Sequence, residues 1–177
     1  MLFSNKTSDE RRLEGCLIDQ AVNHFHVPYL YPMSHLTTNE LEDKFEMYKE
    51  DERNENVLKE SIQKNVVVRI GKNKYLGRID QVRKGIIVHT AYEVWDIKWS
   101  EKGAKPLLEC SLPALIMYAS ALGCKVGGVI NVKNYGTSNP VFVEVEDFDV
   151  RLAMKNINDS LIYRLYRGEI ICIPTHQ

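Results

Sequence analysis

The chain has 177 residues, 44% hydrophobic and 27% charged, a length and composition that suit one globular domain over 1–177 and exclude wholesale disorder. Its 23 basic and 24 acidic residues leave a net charge of −1, which excludes a grossly basic nucleic-acid coat but not an enzyme with a local basic groove. No apolar run approaches the ~20 residues of a membrane-spanning helix, and the opening Met-Leu-Phe-Ser-Asn-Lys has no apolar signal core, so no membrane association and an intracellular location are expected.

The first periodic segment covers residues 8–25. Leu13, Leu17, Ala21 and Phe25 recur every four residues, with Ile18 and Val22 beside them, which predicts a helix with one apolar face and Ser8 or Asp9 as its N-cap. Residues 26–37 carry Pro28 and Pro32 among aromatics and read as an extended connection. Residues 38–63 are dense in charge and predict one or two solvated helices starting at Thr38. The pattern then turns to β. Residues 66–70 are a β-branched run, 71–74 a turn, and 75–82 the returning strand. Arg83-Lys84-Gly85 reads as a further turn, 86–88 as a third strand and 93–99 as a fourth. A polar loop over 100–106 leads to a helix over 111–122, apolar nearly all round and hence buried. Strands over 125–133 and 140–145, an amphipathic helix over 147–166 and a short tail strand over 169–173 complete the order. This predicts an α/β or α+β fold, a mixed central sheet flanked by helices. The hairpins make part of that sheet antiparallel, and the buried helix between two strands makes part of it parallel.

Cys16, Cys110, Cys124 and Cys172 include no CxxC pair, so a zinc ribbon is not expected, and the thiols are read as reduced and mostly buried.

The chemistry concentrates in two stretches, Tyr75-Leu-Gly-Arg-Ile-Asp80 and Glu93-Val-Trp-Asp96-Ile-Lys98-Trp-Ser100. Strand side chains alternate, so Trp95, Ile97 and Trp99 form a core face while Val94, Asp96 and Lys98 share the other. A charge in a central strand is unfavourable unless it is paired or binds a metal. Two carboxylates, Asp80 and Asp96, with Lys98 beside them suit a Mg²⁺ or Mn²⁺ site for phosphodiester hydrolysis, because hard cations prefer carboxylate oxygens. The alternative is a plain Asp96–Lys98 pair on a wet sheet surface.

These stretches resemble the PD-(D/E)XK nuclease superfamily. The closest branch holds RecB-type nuclease domains, CRISPR-associated exonucleases and the mitochondrial genome maintenance exonuclease. Gly77-Arg-Ile-Asp80 is similar to the branch's G-x-x-D, and Asp96-Ile-Lys98-Trp-Ser100 to the acidic-x-Lys element that follows. The next helix carries Tyr118 where the branch has Q-x-x-x-Y, with Ala114 replacing the glutamine. The resemblance implies a restriction-endonuclease-like core and a Mg²⁺- or Mn²⁺-dependent deoxyribonuclease, an exonuclease acting on DNA more than RNA. It implies Asp80, Asp96 and Lys98 as catalytic residues, and the Ile97 carbonyl as a further metal ligand. Asp19, or its rival Glu14, would complete the metal site from the first helix, and Tyr118 and Ser100 would lie along the nucleic acid. The iron–sulfur cysteine cluster of some relatives is absent.

Lys102 and Lys105 follow the acidic-x-Lys strand and are candidate phosphate contacts. Tyr29 and Tyr31 could stack bases or pack on the sheet. His24 and His26 could be ligands, although His24 suits a surface better. Two other functions compete: a catalytically silent nucleic-acid-binding or assembly module of the same fold, and a protein-interaction domain that docks through the acidic helices over 38–63.

Overall fold

The computed structural model describes residues 6–85, 91–146 and 171–173. The expected strand over 86–88 and helix over 147–166 lie outside the described residues. Ten main elements run in chain order. They are α1 (Ser8–His26), α2 (Asn39–Glu50), β1 (Asn65–Ile70), β2 (Asn73–Arg78), β3 (Gln81–Lys84), β4 (Tyr92–Lys98), α3 (Ala104–Leu122), β5 (Lys125–Asn131), β6 (Phe142–Glu144) and β7 (Ile171–Ile173). Two short 3₁₀ turns, Glu52–Asn56 and Lys59–Ser61, join α2 to β1. Among the described residues no helix is long and apolar enough to cross a membrane.

The strands form two sheets. One is antiparallel, in the order β1-β2-β7; the other is mixed, in the order β3-β4-β5-β6. β4 and β5 are parallel neighbours joined through α3, and β3 and β6 flank them antiparallel. A mixed sheet flanked by helices is therefore present. The expected single strand over 75–82 is divided: β2 ends at Arg78, and β3 begins at Gln81 in the other sheet. The step falls on Ile79 and Asp80.

α1 is held at its start by a capping box. Thr7 accepts the Glu10 N–H, and the Glu10 carboxylate accepts the Thr7 N–H. The cap thus stands one residue before the expected Ser8. α2 starts where Thr38 predicts it, with the hydroxyl accepting the Leu41 N–H. α3 begins seven residues earlier than expected. Pro106 falls in its first turn, where no intrahelical N–H is needed, so this proline does not break the helix.

Each face of the mixed sheet has its own core. Trp95, Ile97 and Ile130 pack with Ile18 and Val22 of α1 and Leu41 and Tyr48 of α2. Val94 and Val129 pack with Leu108, Leu112 and Leu115 of α3. Alternation along β4 therefore assigns its apolar residues as the sequence predicts, with Trp99 only half-buried at the strand's end. The cysteines depart from expectation. Cys16 and Cys110 are exposed, because they sit on outward positions of α1 and α3, and Cys124 is partly buried.

Arg83-Lys84 also differs from its reading as a turn. Arg83 is a buried strand residue. Its guanidinium donates to Asn54 Oδ1 (2.7 Å), Gln81 Oε1 (3.0 Å), the Arg53 carbonyl (3.1 Å) and the Tyr48 hydroxyl (3.3 Å). A buried charge so surrounded by acceptors is tolerated in a strand. The Tyr48 hydroxyl also meets His26 Nε2 at 2.6 Å and accepts from Gln81 Nε2 at 3.1 Å. Burial, with Arg83 and Lys59 nearby, pushes the His26 imidazole down to about 4, so it is neutral at ordinary pH.

Gly77 has a steric reason to be glycine. A Cβ at this position would lie 2.5 Å from Cε1 of Tyr118, whose ring is packed in the core. We expect Gly77→Ala to lower unfolding stability by about 1–3 kcal/mol. Its effect should be less than additive with Tyr118→Ala, which removes the obstructing ring. Urea denaturation of the two single variants and the double variant measures both quantities, and strict additivity would show that the contact is not the cause.

Candidate functional site

A cleft of about 600 Å³ opens where the β2–β3 step, the end of β4 and the middle of α1 meet. Its lining includes Asp19 from α1, Arg78 and Asp80 from the step, and Asp96, Ile97 and Lys98 from β4. Residues distant in sequence thus share one wall. α1 brings Asp19 there because Ile18 and Val22, on the adjoining stripe, are buried against the β4 core. β4 brings Asp96 and Lys98 because Trp95 and Ile97, at alternate positions, are held on the other side.

Asp80 occupies the centre. Its Oδ2 accepts the Ile97 N–H at 2.8 Å and its Oδ1 accepts from Gln63 Nε2 at 3.2 Å. Burial holds Asp80 well above the usual carboxylate range. The charge and hydrogen bond of Asp96, then the charge of Asp19, add to this, while the Ile97 N–H acts in the opposite direction. Asp19 is pushed up to about 7, chiefly by burial and then by the charge of Asp96, against the pull of Lys98 and Arg78. The Lys98 amine lies 3.0 Å from Asp96 Oδ2. Three carboxyl groups thus repel one another across a cleft wall with one lysine in contact, an environment that favours added positive charge.

Among the described residues no three His, Cys, Asp or Glu side chains converge tightly enough to close a cage of protein ligands alone. Mg²⁺ does not require one. It is held through one or two carboxylates and keeps several waters, so Asp80 and Asp96, both lining an open cleft, are a chemically suitable donor set. Asp19 is the further acid on the same wall.

The other sequence-predicted residues are placed elsewhere. Glu14 does not line the cleft. It is buried one turn before Asp19, pairs with the Lys6 amine at 2.5 Å and accepts from Trp99 Nε1 at 2.8 Å. Of the two acids on α1, Asp19 lines the cleft and Glu14 does not. Tyr118 is only 4% exposed and is packed over Gly77 in the α3 core, outside the cleft lining. Ser100, Lys102 and Lys105 fall beyond β4, outside the cleft lining. Ser100 Oγ accepts the Lys102 N–H at 3.1 Å, and Lys102 and Lys105 are exposed. Tyr31 does line the cleft, and its hydroxyl donates to the Ile62 carbonyl at 3.3 Å, whereas Tyr29 is 79% exposed. His24 Nδ1 meets the Tyr31 carbonyl at 2.7 Å.

Sequence reasoning missed three contributors. Gln63 reaches Asp80 from the segment before β1. Arg78 lies two residues before Asp80, so alternation could have found it. Asn131 is fully buried and pins the strand end just past Lys98, accepting the Ser100 N–H (3.2 Å) and donating to the Ser100 carbonyl (2.9 Å).

No family model, curated protein or solved structure matches this chain.

The crowding of acids sets a pH-dependent stability. With a folded value of about 7 against an ordinary 3.8, Asp19 favours the folded state at low pH, and that contribution is lost as pH rises through 7. Asp19→Asn, which carries no charge to bury, should therefore be more stable than wild type at pH 8.5 in EDTA. Three pKa units correspond to about 4 kcal/mol, and solvent screening at a partly exposed position reduces this to about 1–2 kcal/mol. The advantage should fade towards pH 4. Chemical denaturation across pH 4–8.5 reads it, and a pH-independent difference would contradict the assignment.

Proposed function

We propose that this protein is a Mg²⁺- or Mn²⁺-dependent nuclease with a restriction-endonuclease-like PD-(D/E)XK core, hydrolysing phosphodiester bonds of nucleic acid, DNA before RNA. The observation that carries this reading is the convergence of Asp80, Asp96 and Lys98 with Asp19 on one cleft wall, from three separate elements. The charge of Asp96 adds to burial in raising Asp19 and Asp80, a crowding of acids that a bound cation would relieve. The resemblance of Gly77-Arg-Ile-Asp80 and Asp96-Ile-Lys98 to the family's motifs supports the same assignment.

Asp80, Asp96 and the Ile97 carbonyl, with Asp19 beside them, would hold the cation. When bound, it supplies Lewis-acid polarisation of the phosphate and a lower pKa for a coordinated water. Lys98 has the remaining role. Its amine lies 3.0 Å from Asp96 Oδ2 and stands at the cleft, where it can donate to the attacking water and offset charge growing on the phosphate oxygens. Water adds to phosphorus and the ester oxygen leaves with a proton, giving a phosphomonoester and an alcohol. Arg78, exposed on the same lining, adds positive charge for the substrate's phosphates.

A second reading, a silent nucleic-acid-binding module of the same fold, is favoured by one observation. Ala114 and Tyr118 are both buried in the core, so the α3 positions the family uses beside its substrate are not offered to the cleft.

Labelled single- and double-stranded DNA and RNA, linear and circular, incubated with Mg²⁺, Mn²⁺ or EDTA, separate the two. Cleavage with metal and none with EDTA is expected. Lys98→Ala should lower turnover on the order of 100-fold or more, because the lost interaction acts mainly in the transition state. Its melting temperature and its nucleic-acid affinity should stay near wild type. Asp80→Ala and Asp96→Ala should also be inactive, but excess Mn²⁺ should partly restore them and not Lys98→Ala. Salt-dependent binding without cleavage on any substrate would replace the nuclease with the silent module.

A further inference from the structure

The chain approaches β1 through a tight turn at Ser61–Lys64. The Lys64 N–H donates to the Ser61 carbonyl at 3.1 Å. Ile62 has φ −59° and ψ 121°, and Gln63 has φ 55°. The Ile62 angles and the positive φ of Gln63 are those of a type II-like turn, whose third position favours glycine because an L side chain there crowds the backbone. Gln63 is the one non-glycine residue with positive φ among the described residues. A glutamine at this position has no local conformational reason.

It does have a tertiary one. The Gln63 N–H donates to the Asp80 carbonyl at 3.2 Å, and the Ile79 N–H donates to the Lys64 carbonyl at 3.0 Å. The turn is thereby laid alongside the β2–β3 step. From there the Gln63 side chain reaches back, and its amide donates to Asp80 Oδ1 at 3.2 Å. The opposite oxygen, Oδ2, is fixed by the Ile97 N–H at 2.8 Å. Both carboxylate oxygens are thus oriented by donors, one from the main chain and one from Gln63. Glycine would relax the turn and lose the amide, and asparagine would tolerate the backbone but fall one methylene short.

We propose that Gln63 is a positioning residue, kept in a strained left-handed conformation so that its amide fixes the Asp80 carboxylate in the orientation that receives a divalent cation. This rests on the metal-dependent reading of the cleft. Outer partners of this kind typically change metal affinity by about 10- to 100-fold when removed. Strain retained at one point of a turn for the sake of a site is a recognised exchange of stability for function.

The test compares wild type with Gln63→Gly and Gln63→Asn. Melting in EDTA should show Gln63→Gly at least as stable as wild type, since the turn is relieved. Calorimetric titration with Mn²⁺ should show both variants binding about 10-fold weaker or worse, with cleavage recovering at high Mn²⁺. Wild-type Mn²⁺ affinity in Gln63→Gly overturns the proposal, and so does a Gln63→Gly that melts well below wild type while Gln63→Asn does not. A thermodynamic cycle of Gln63→Gly with Asp80→Asn in metal-free protein keeps this inference separate from the nuclease reading. The two should be non-additive by about threefold or more in the unfolding equilibrium constant, and additivity overturns the proposal. A wild type that binds no Mn²⁺ yet shows that coupling removes the nuclease and leaves Gln63 positioning Asp80.

Discussion

At residues 79–80 the chain leaves one sheet and enters the other, and the Asp80 side chain closes the gap this opens. The β3–β4 ladder ends at the Gln81–Trp95 pair, so β4 continues past it with main-chain groups that have lost their strand partner. A partly buried N–H without an acceptor is costly. Asp80 Oδ2 accepts the Ile97 N–H at 2.8 Å and so takes the place of the missing strand. One hydrogen bond therefore completes the sheet and delivers a carboxylate beside Asp96. The cleft is a consequence of the same step, because the divergence of the two sheets leaves open the space into which α1 turns Asp19.

That arrangement places opposing requirements on the same residues. Burial and the charge of Asp96 raise the proton affinity of Asp19 and Asp80, and folding alone would favour neutral side chains at those two positions. The surroundings have to hold them. The two cores do so from opposite faces of β4, with Trp95 and Ile97 on one and Val94 on the other. The pairing of β4 with β5 shifts register at Val94/Trp95, and Gly127 lies in that irregularity. A Cβ on Gly127 would lie 2.1 Å from Trp95 Nε1, so only glycine lets the indole settle there and keep the rest of β4 in phase with the cleft.

Behind the site, polar residues do what apolar packing cannot. Tyr48, at the end of α2, gathers His26, Gln81 and Arg83 around its hydroxyl, and Asn54 links the group to Tyr135 at 3.1 Å. Each member supplies a donor or acceptor to another, so among the described residues the guanidinium is buried without a carboxylate in direct hydrogen bond. The network ties α1, α2 and the following 3₁₀ turn to β3, the strand that issues from the Asp80 step.

Much of this was legible in the sequence for physical reasons. The four-residue spacing of Leu13, Leu17, Ala21 and Phe25 specifies a helix, but the stripe it buries runs through Ile18, Ala21 and Val22 and leaves Leu13 and Phe25 exposed; the alternation through Trp95 and Ile97 specifies which side of β4 is core. Alternation also sets Asp96 and Lys98 on one face, and the spacing of Asp80 from them follows from the strand order. Local pattern carries no information about what lies opposite. It does not tell Glu14 from Asp19, five residues apart on α1, because the difference is that Lys6 and Trp99 meet the first and the cleft meets the second. It read Arg83-Lys84 as a turn because a buried arginine is justified only by partners contributed from residues 48–54. The sequence offers Tyr118 to the substrate, whereas in the fold its ring packs over Gly77 in the core. Gln63 carries no motif at all; its left-handed backbone and its reach to Asp80 exist only once β1 and β2 are paired, since only that pairing brings residues 63 and 80 together.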